Sequence, residues 1–134
     1  MQDRPTATEL LDALGELLFT DVREWVPPER RFQVLVAANL CAVVARELRA
    51  GAAPSLADVA LFRSILEVEG PDPEPEEAEA EAREAAQELA WEIRHGKLDS
   101  EIASVAARLR EHVRRKLEIA RPGYADGFHE SGQG

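Results

Sequence analysis

Glu92 and His95 are the nearest thing to a metal motif in this chain, because their spacing sets a carboxylate and an imidazole on one helical face. A di-iron bundle needs two Glu-x-x-His pairs and two further carboxylates. Here Leu109 precedes His112 and Asp126 precedes His129 by three, so a second pair does not exist. The pair reads as a surface salt bridge, and no metal or other cofactor is expected. Arg108, Arg110, Arg114, Arg115 and Lys116 form a basic cluster that could hold a phosphate, a CoA tail or an acidic partner surface. Glu111 and Glu118 lie within a turn of Arg114 or Arg115, and an acidic helix upstream can pack alongside, so internal charge matching is the simpler reading. Asn39 interrupts an apolar run, and an unpartnered buried amide costs about 1–3 kcal/mol, so it is expected to hydrogen-bond to a neighbour and fix helix register. Trp25 and Trp91 read as core-edge or interface anchors. The sequence holds no Gly-rich phosphate loop, nucleophile elbow or paired cysteines, and no catalytic residue is assigned.

The elements that must carry these residues are all helical. Thr6 and Glu9 have capping-box spacing, and Leu11, Leu14, Leu18, Val22 and Trp25 lay an apolar stripe up to Pro27 and Pro28, which predicts a first helix over residues 7–25. Pro28 suits the first turn of a second helix. That helix runs from Phe32 to Leu48, is apolar on almost every side and so reads as the central one, with Gly51 as its C-cap. Ser55 and Asp58 signal the start of a third helix carrying Val59, Phe62, Ile65 and Leu66, which stops before Gly70. The Pro71, Pro73 and Pro75 stretch is a rigid connection. A fourth helix carries Ala78, Ala82, Ala85, Leu89 and Ile93; its Glu-rich first turns are expected to pack weakly and fray, and Gly96 closes it. Asp99 or Ser100 caps a fifth helix with the stripe Ile102, Val105, Leu109, Val113, Leu117 and Ala120. The expected fold is an all-α compact bundle of about five helices, one domain over residues 1–124, followed by a disordered tail over 125–134 anchored at most by Phe128.

Composition narrows the partners. A net charge of -10 opposes the polyanion attraction that drives binding to nucleic acid or to an anionic membrane surface. The single cysteine, Cys41, sits in an apolar run and reads as a small buried hydrophobe. Residues 1–8 lack the order of a signal peptide and no apolar stretch is clean enough to span a bilayer, so a cytoplasmic location is expected. The Ala, Arg, Glu and Leu bias, with only two lysines, is that of a GC-rich bacterial genome. Because the second helix needs covering on every side, a homodimer built on the first or second helix is one expectation.

Four stretches together carry a resemblance: Arg4-Pro5-Thr6-Ala7 with Glu9-Leu10-Leu11; Arg31-Phe32 with Val36-Ala37-Ala38-Asn39 and Val43-Val44-Ala45-Arg46-Glu47-Leu48; Leu89-Ala90 with Ile93-Arg94, Gly96 and Asp99; and Lys116-Leu117-Glu118-Ile119-Ala120 with Pro122 and Tyr124. From Arg4 to Tyr124 the chain resembles an uncharacterised family of small bacterial helical proteins, a domain of unknown function often encoded beside aminoglycoside-phosphotransferase-like kinases and acyl-CoA dehydrogenases. The family pattern has Asn-Pro before the final Tyr, where this chain has Arg121-Pro122. The resemblance implies an uncharacterised, non-catalytic accessory or protein-interaction protein, associated with a kinase or dehydrogenase of those kinds. The alternative is a small-molecule binder or enzyme that holds an anionic ligand in a polar pocket between helices. In either case Asn39, Arg94, Asp99, Lys116 and Tyr124 are the matching polar positions at which to look for a ligand site.

Overall fold

The computed structural model describes residues 3–124, and among them it contains five helices and no strand. The tail, with Phe128 and His129, lies outside the described residues. We number the helices α1 to α5. The first, α1, is one run made of Ala7–Leu17, a π segment Leu18–Val22 and a last turn Arg23–Trp25. A 3-10 turn Pro28–Arg30 leads into α2, Arg31–Ala50. Next come α3, Ala53–Leu66, and α4, Ala78–Arg94; a second 3-10 turn, Asp99–Glu101, opens α5, Ile102–Ala120. Backbone contacts gather the described residues into two units, 3–50 with Ile119–Arg121 and 51–118 with 122–124.

Local chemistry sets most helix ends. Thr6 and Glu9 form the capping box, with the Glu9 amide donating to Thr6 Oγ1 at 3.3 Å and the Thr6 amide donating to Glu9 Oε2 at 2.8 Å. The Thr6 amide, with the Arg4 guanidinium beside it, holds the Glu9 carboxyl below its ordinary range. A carboxyl depressed in this way contributes stability that is present above its unfolded pKa and is lost as pH falls through the lower folded value. Thr6→Ala is therefore expected to cost about 1 kcal/mol, and Glu9→Gln to remove part of the acid dependence of unfolding, read by urea titration at several pH values. An unchanged pH profile in Glu9→Gln would contradict this.

Further along α1 the Thr20 hydroxyl donates to the Glu16 carbonyl at 2.8 Å, inside the stretch where the ladder widens to a π turn. A hydroxyl competing for an i−4 carbonyl is a recognised cause of such a distortion. Pro27 and Pro28 end the run as expected, and Gly51, at φ 57, follows α2.

In the second unit, Phe62, Ile65, Leu89 and Val105 form the core, with Leu61, Leu66, Ala85, Ala86, Ile93, Leu98 and Leu109 packed around them. Arg63 ties the proline-rich connection to α4 by donating to the Pro71 carbonyl and pairing with Glu81.

Four expectations need correction. First, α2 is not a helix buried on every side. Only Ala38 and Ala45 are buried on it, and Phe32, Val36, Leu40, Val44 and Leu48 are exposed. Second, α3 starts at Ala53 with Pro54 in its first turn, not with Ser55 or Asp58 as a cap; the fixed φ of proline already suits that turn. Third, the first turn of α4 is well packed, since Ala78 is wholly buried and Glu81 is held by Arg63. Fourth, α5 turns His112 inward in place of Val113, which is half exposed. Stepping by four from Leu109 drifts off the inner face, whereas stepping by three stays on it.

Candidate interaction surface

In the N-terminal unit α1 packs on α2 where Gly15 meets Ala38 and Cys41. A Cβ on Gly15 would lie 3.4 Å from Cys41 Cβ and 3.6 Å from the Ala38 carbonyl oxygen, at ordinary van der Waals contact, so the two helices touch here with room for no more than a methyl. Cys41 is half-buried at this contact. Beside it runs a groove of about 430 Å³, lined on α1 by Leu11, Asp12, Gly15, Glu16 and Phe19 and on α2 mainly by Leu35, Ala38 and Asn39. Asn39 is exposed at this groove and not a buried register pin. Its charged neighbours in the lining are carboxylates, and Asp12 is already bonded to Arg49. That sign is wrong for an anion.

The larger feature of this unit is apolar. Its buried side chains among the described residues are two alanines, Ala38 and Ala45, while Leu10, Leu14 and Leu17 on α1 and the α2 residues Phe32, Val36, Leu40, Val44 and Leu48 are all more than 40% exposed. Trp25, at the end of α1, is 73% exposed. Two bonds within this unit fasten α2 to residues 119 and 120. Arg46 donates from Nε to the Ile119 carbonyl and from Nη2 to the Ala120 carbonyl, satisfying carbonyls that a helix C-terminus leaves without partners.

The second unit has a polar hub that was not legible in the sequence. Asp58 Oδ1 on α3 lies 2.6 Å from Arg115 Nη2 and 2.8 Å from His112 Nδ1, both on α5. The imidazole packs on Phe62 with ring centroids 5.1 Å apart. His112 Nδ1 is close to the carboxylate but off the axis of a hydrogen bond, and Arg115 Nε is also buried without an aligned acceptor. Arg108 reaches Ser64 and Arg114 pairs with Glu111 at 3.0 Å. The basic cluster of α5 is thus partly matched from within, as expected, but across to α3 and not to the acidic helix α4. No short sequence pattern links Asp58 to His112; only the facing of two helices does.

Among the other sequence-predicted positions, Arg94 is the last residue of α4, where a cation suits the helix dipole, and it is exposed. Asp99 lies in the 3-10 turn and makes no cap there, because Leu98 occupies the cap position. Its carboxylate sits over Gly96, where a Cβ would lie 3.0 Å from Oδ2. Lys116 is exposed on α5 and Tyr124 follows that helix, 40% exposed. The five candidate positions are thus dispersed along the chain, on α2, α4, the 3-10 turn and α5, with Tyr124 in the turn after α5. Glu92 and His95 also diverge: Glu92 pairs with Lys97 at 2.8 Å, while His95 Nδ1 contacts the Trp91 carbonyl and its ring stacks on Trp91 at 4.0 Å. No group of three potential metal ligands occurs among the described residues.

A family model described as a domain of unknown function, DUF6285, matches residues 24–124. The chain belongs to this family. No curated protein and no solved structure matches it. The DUF6285 match starts at Glu24, in the last turn of α1, so it takes in α2 to α5 and leaves most of α1 before it. The resemblance read from the sequence begins earlier, at Arg4. The DUF6285 description carries no activity, and no described helix is long and apolar enough to cross a membrane.

Proposed function

We propose that the protein is a non-catalytic interaction protein, an accessory subunit that docks a second protein on the outer face of α1. The observation that carries this reading is the exposed stripe of Leu10, Leu14 and Leu17, in a unit whose own buried side chains are alanines. Contiguous exposed apolar surface with a polar border is characteristic of association sites. Asp21, one turn beyond Leu17, gives the stripe an acidic end, and the net charge of -10 acts in the same sense. The partner that fits is a protein presenting an apolar helical face bordered by basic side chains. An aminoglycoside-phosphotransferase-like kinase or an acyl-CoA dehydrogenase, the enzymes the family resemblance brings in, is the first to test.

The experiment is co-expression of the full chain with each enzyme, followed by size-exclusion chromatography with light scattering. A stable complex is expected with one of them. Leu14→Glu, at a position that is already exposed, is expected to weaken it by about 100-fold or more while leaving the far-UV circular dichroism unchanged. Separate elution from both enzymes, or a complex indifferent to Leu14→Glu, would overturn the proposal.

A further inference from the structure

We infer that the exposed face of α2 pairs with the same face of a second copy of this chain, antiparallel, about a two-fold axis at Leu40. Phe32, Val36, Leu40, Val44 and Leu48 follow one another at four-residue steps and are all exposed, so they form one continuous ridge, about 24 Å long at the rise of a helix. Phe32 is 75% exposed and Leu40 57%. The ridge is symmetric about Leu40: a two-fold axis there sets Val36 against Val44 of the other copy, while Phe32 and Leu48, about 80° to either side of Leu40 around the helix, flank the contact.

Charge decides the direction. Gln33 and Glu47 stand two turns either side of Leu40 on the ridge face, and Arg30 donates to the Gln33 side chain at 3.0 Å. In the antiparallel pair the Arg30 and Gln33 end of each copy meets Glu47 of the other, twice by symmetry. In a parallel pair Glu47 would face Glu47 and Arg30 would face Arg30, which repels. A self-complementary patch is what a two-fold interface requires. A unit this small, with two alanines as its buried side chains, also has more to gain from such burial than a unit with a filled core. This inference goes beyond the docking of a partner, which uses the stripe on α1.

The test is light scattering on the purified full chain from micromolar to near-millimolar concentration. The mass of a dimer is expected, and Leu40→Glu is expected to weaken self-association at least about 100-fold with unchanged circular dichroism, because Leu40 is not needed inside a monomer. Direction is read by oxidation in a Cys41→Ala background. Leu40→Cys lies on the axis and is expected to form a disulfide-linked dimer, Val36→Cys alone is not, and Val36→Cys with Val44→Cys is. A monomer at every concentration overturns the inference, as does a dimer in which Val36→Cys links as readily as Leu40→Cys. A monomeric chain that loses a different protein on Leu40→Glu also overturns it, and assigns the ridge to that protein. A dimer that recovers neither enzyme overturns only the docking proposed for α1.

Discussion

Phe62→Ala is expected to destabilise the C-terminal unit by about 3–5 kcal/mol, the usual cost of emptying a packed aromatic site. Phe62 is 4% exposed, touches the core made with Ile65, Leu89 and Val105, and supports the His112 ring. Its removal costs more than transfer of a ring to water. The cavity sits where α3, α4 and α5 supply their largest buried side chains, and the wall that holds the imidazole goes with it. Urea unfolding followed by circular dichroism measures the loss, and a change below about 1 kcal/mol would show that this core is not packed as described. Val113→Ala is the internal control. This half-exposed apolar side chain on α5 is expected to change stability by no more than about 0.5 kcal/mol.

Asp58→Ala is expected to cost about 2–3 kcal/mol. Asp58 is the acceptor for Arg115 and the carboxylate beside His112, with side-chain exposures of 13% for Asp58, 23% for Arg115 and 21% for His112. Removing it leaves a largely covered guanidinium with only Glu111, at 3.8 Å, as a carboxylate neighbour, while its Nε already has no acceptor. Stranding one member of a buried pair is costlier than the net worth of the pair, and the residual exposure of Arg115 keeps the figure below that of a wholly buried site. Asp58→Asn, which keeps an acceptor and loses the charge, is expected to cost about half as much. The same urea titration reads both. A loss under about 0.5 kcal/mol for Asp58→Ala would mean that solvent replaces the carboxylate freely, and that the hub does not hold α3 to α5.

Legibility differed sharply between helix ends and helix faces. The capping box at Thr6 and Glu9, the stop at Pro27 and Pro28, the closure at Gly51 and Gly96 and the connection through Pro71 to Pro75 were all readable, and the all-α fold with them. Where a local signal misled, as with Ser55 and Asp58, a stronger local signal, Pro54, had already started the helix. Asn39 and Val113 were misplaced for another reason. Periodicity says that a face is apolar, but not how far its stripe drifts before the neighbouring helix ends. Of the candidate surface, the sequence showed the residues of the α2 ridge but took them for core.

What this chain's sequence determined by itself is therefore the set of helices and most of their boundaries, because caps, prolines and glycines act within one turn of where they stand. Tertiary structure alone decided which apolar faces are covered and which polar groups meet. The exposed ridge from Phe32 to Leu48 and the pairing of Asp58 with His112 and Arg115 both depend on which helix lies opposite, and burial is a property of two surfaces, not of one.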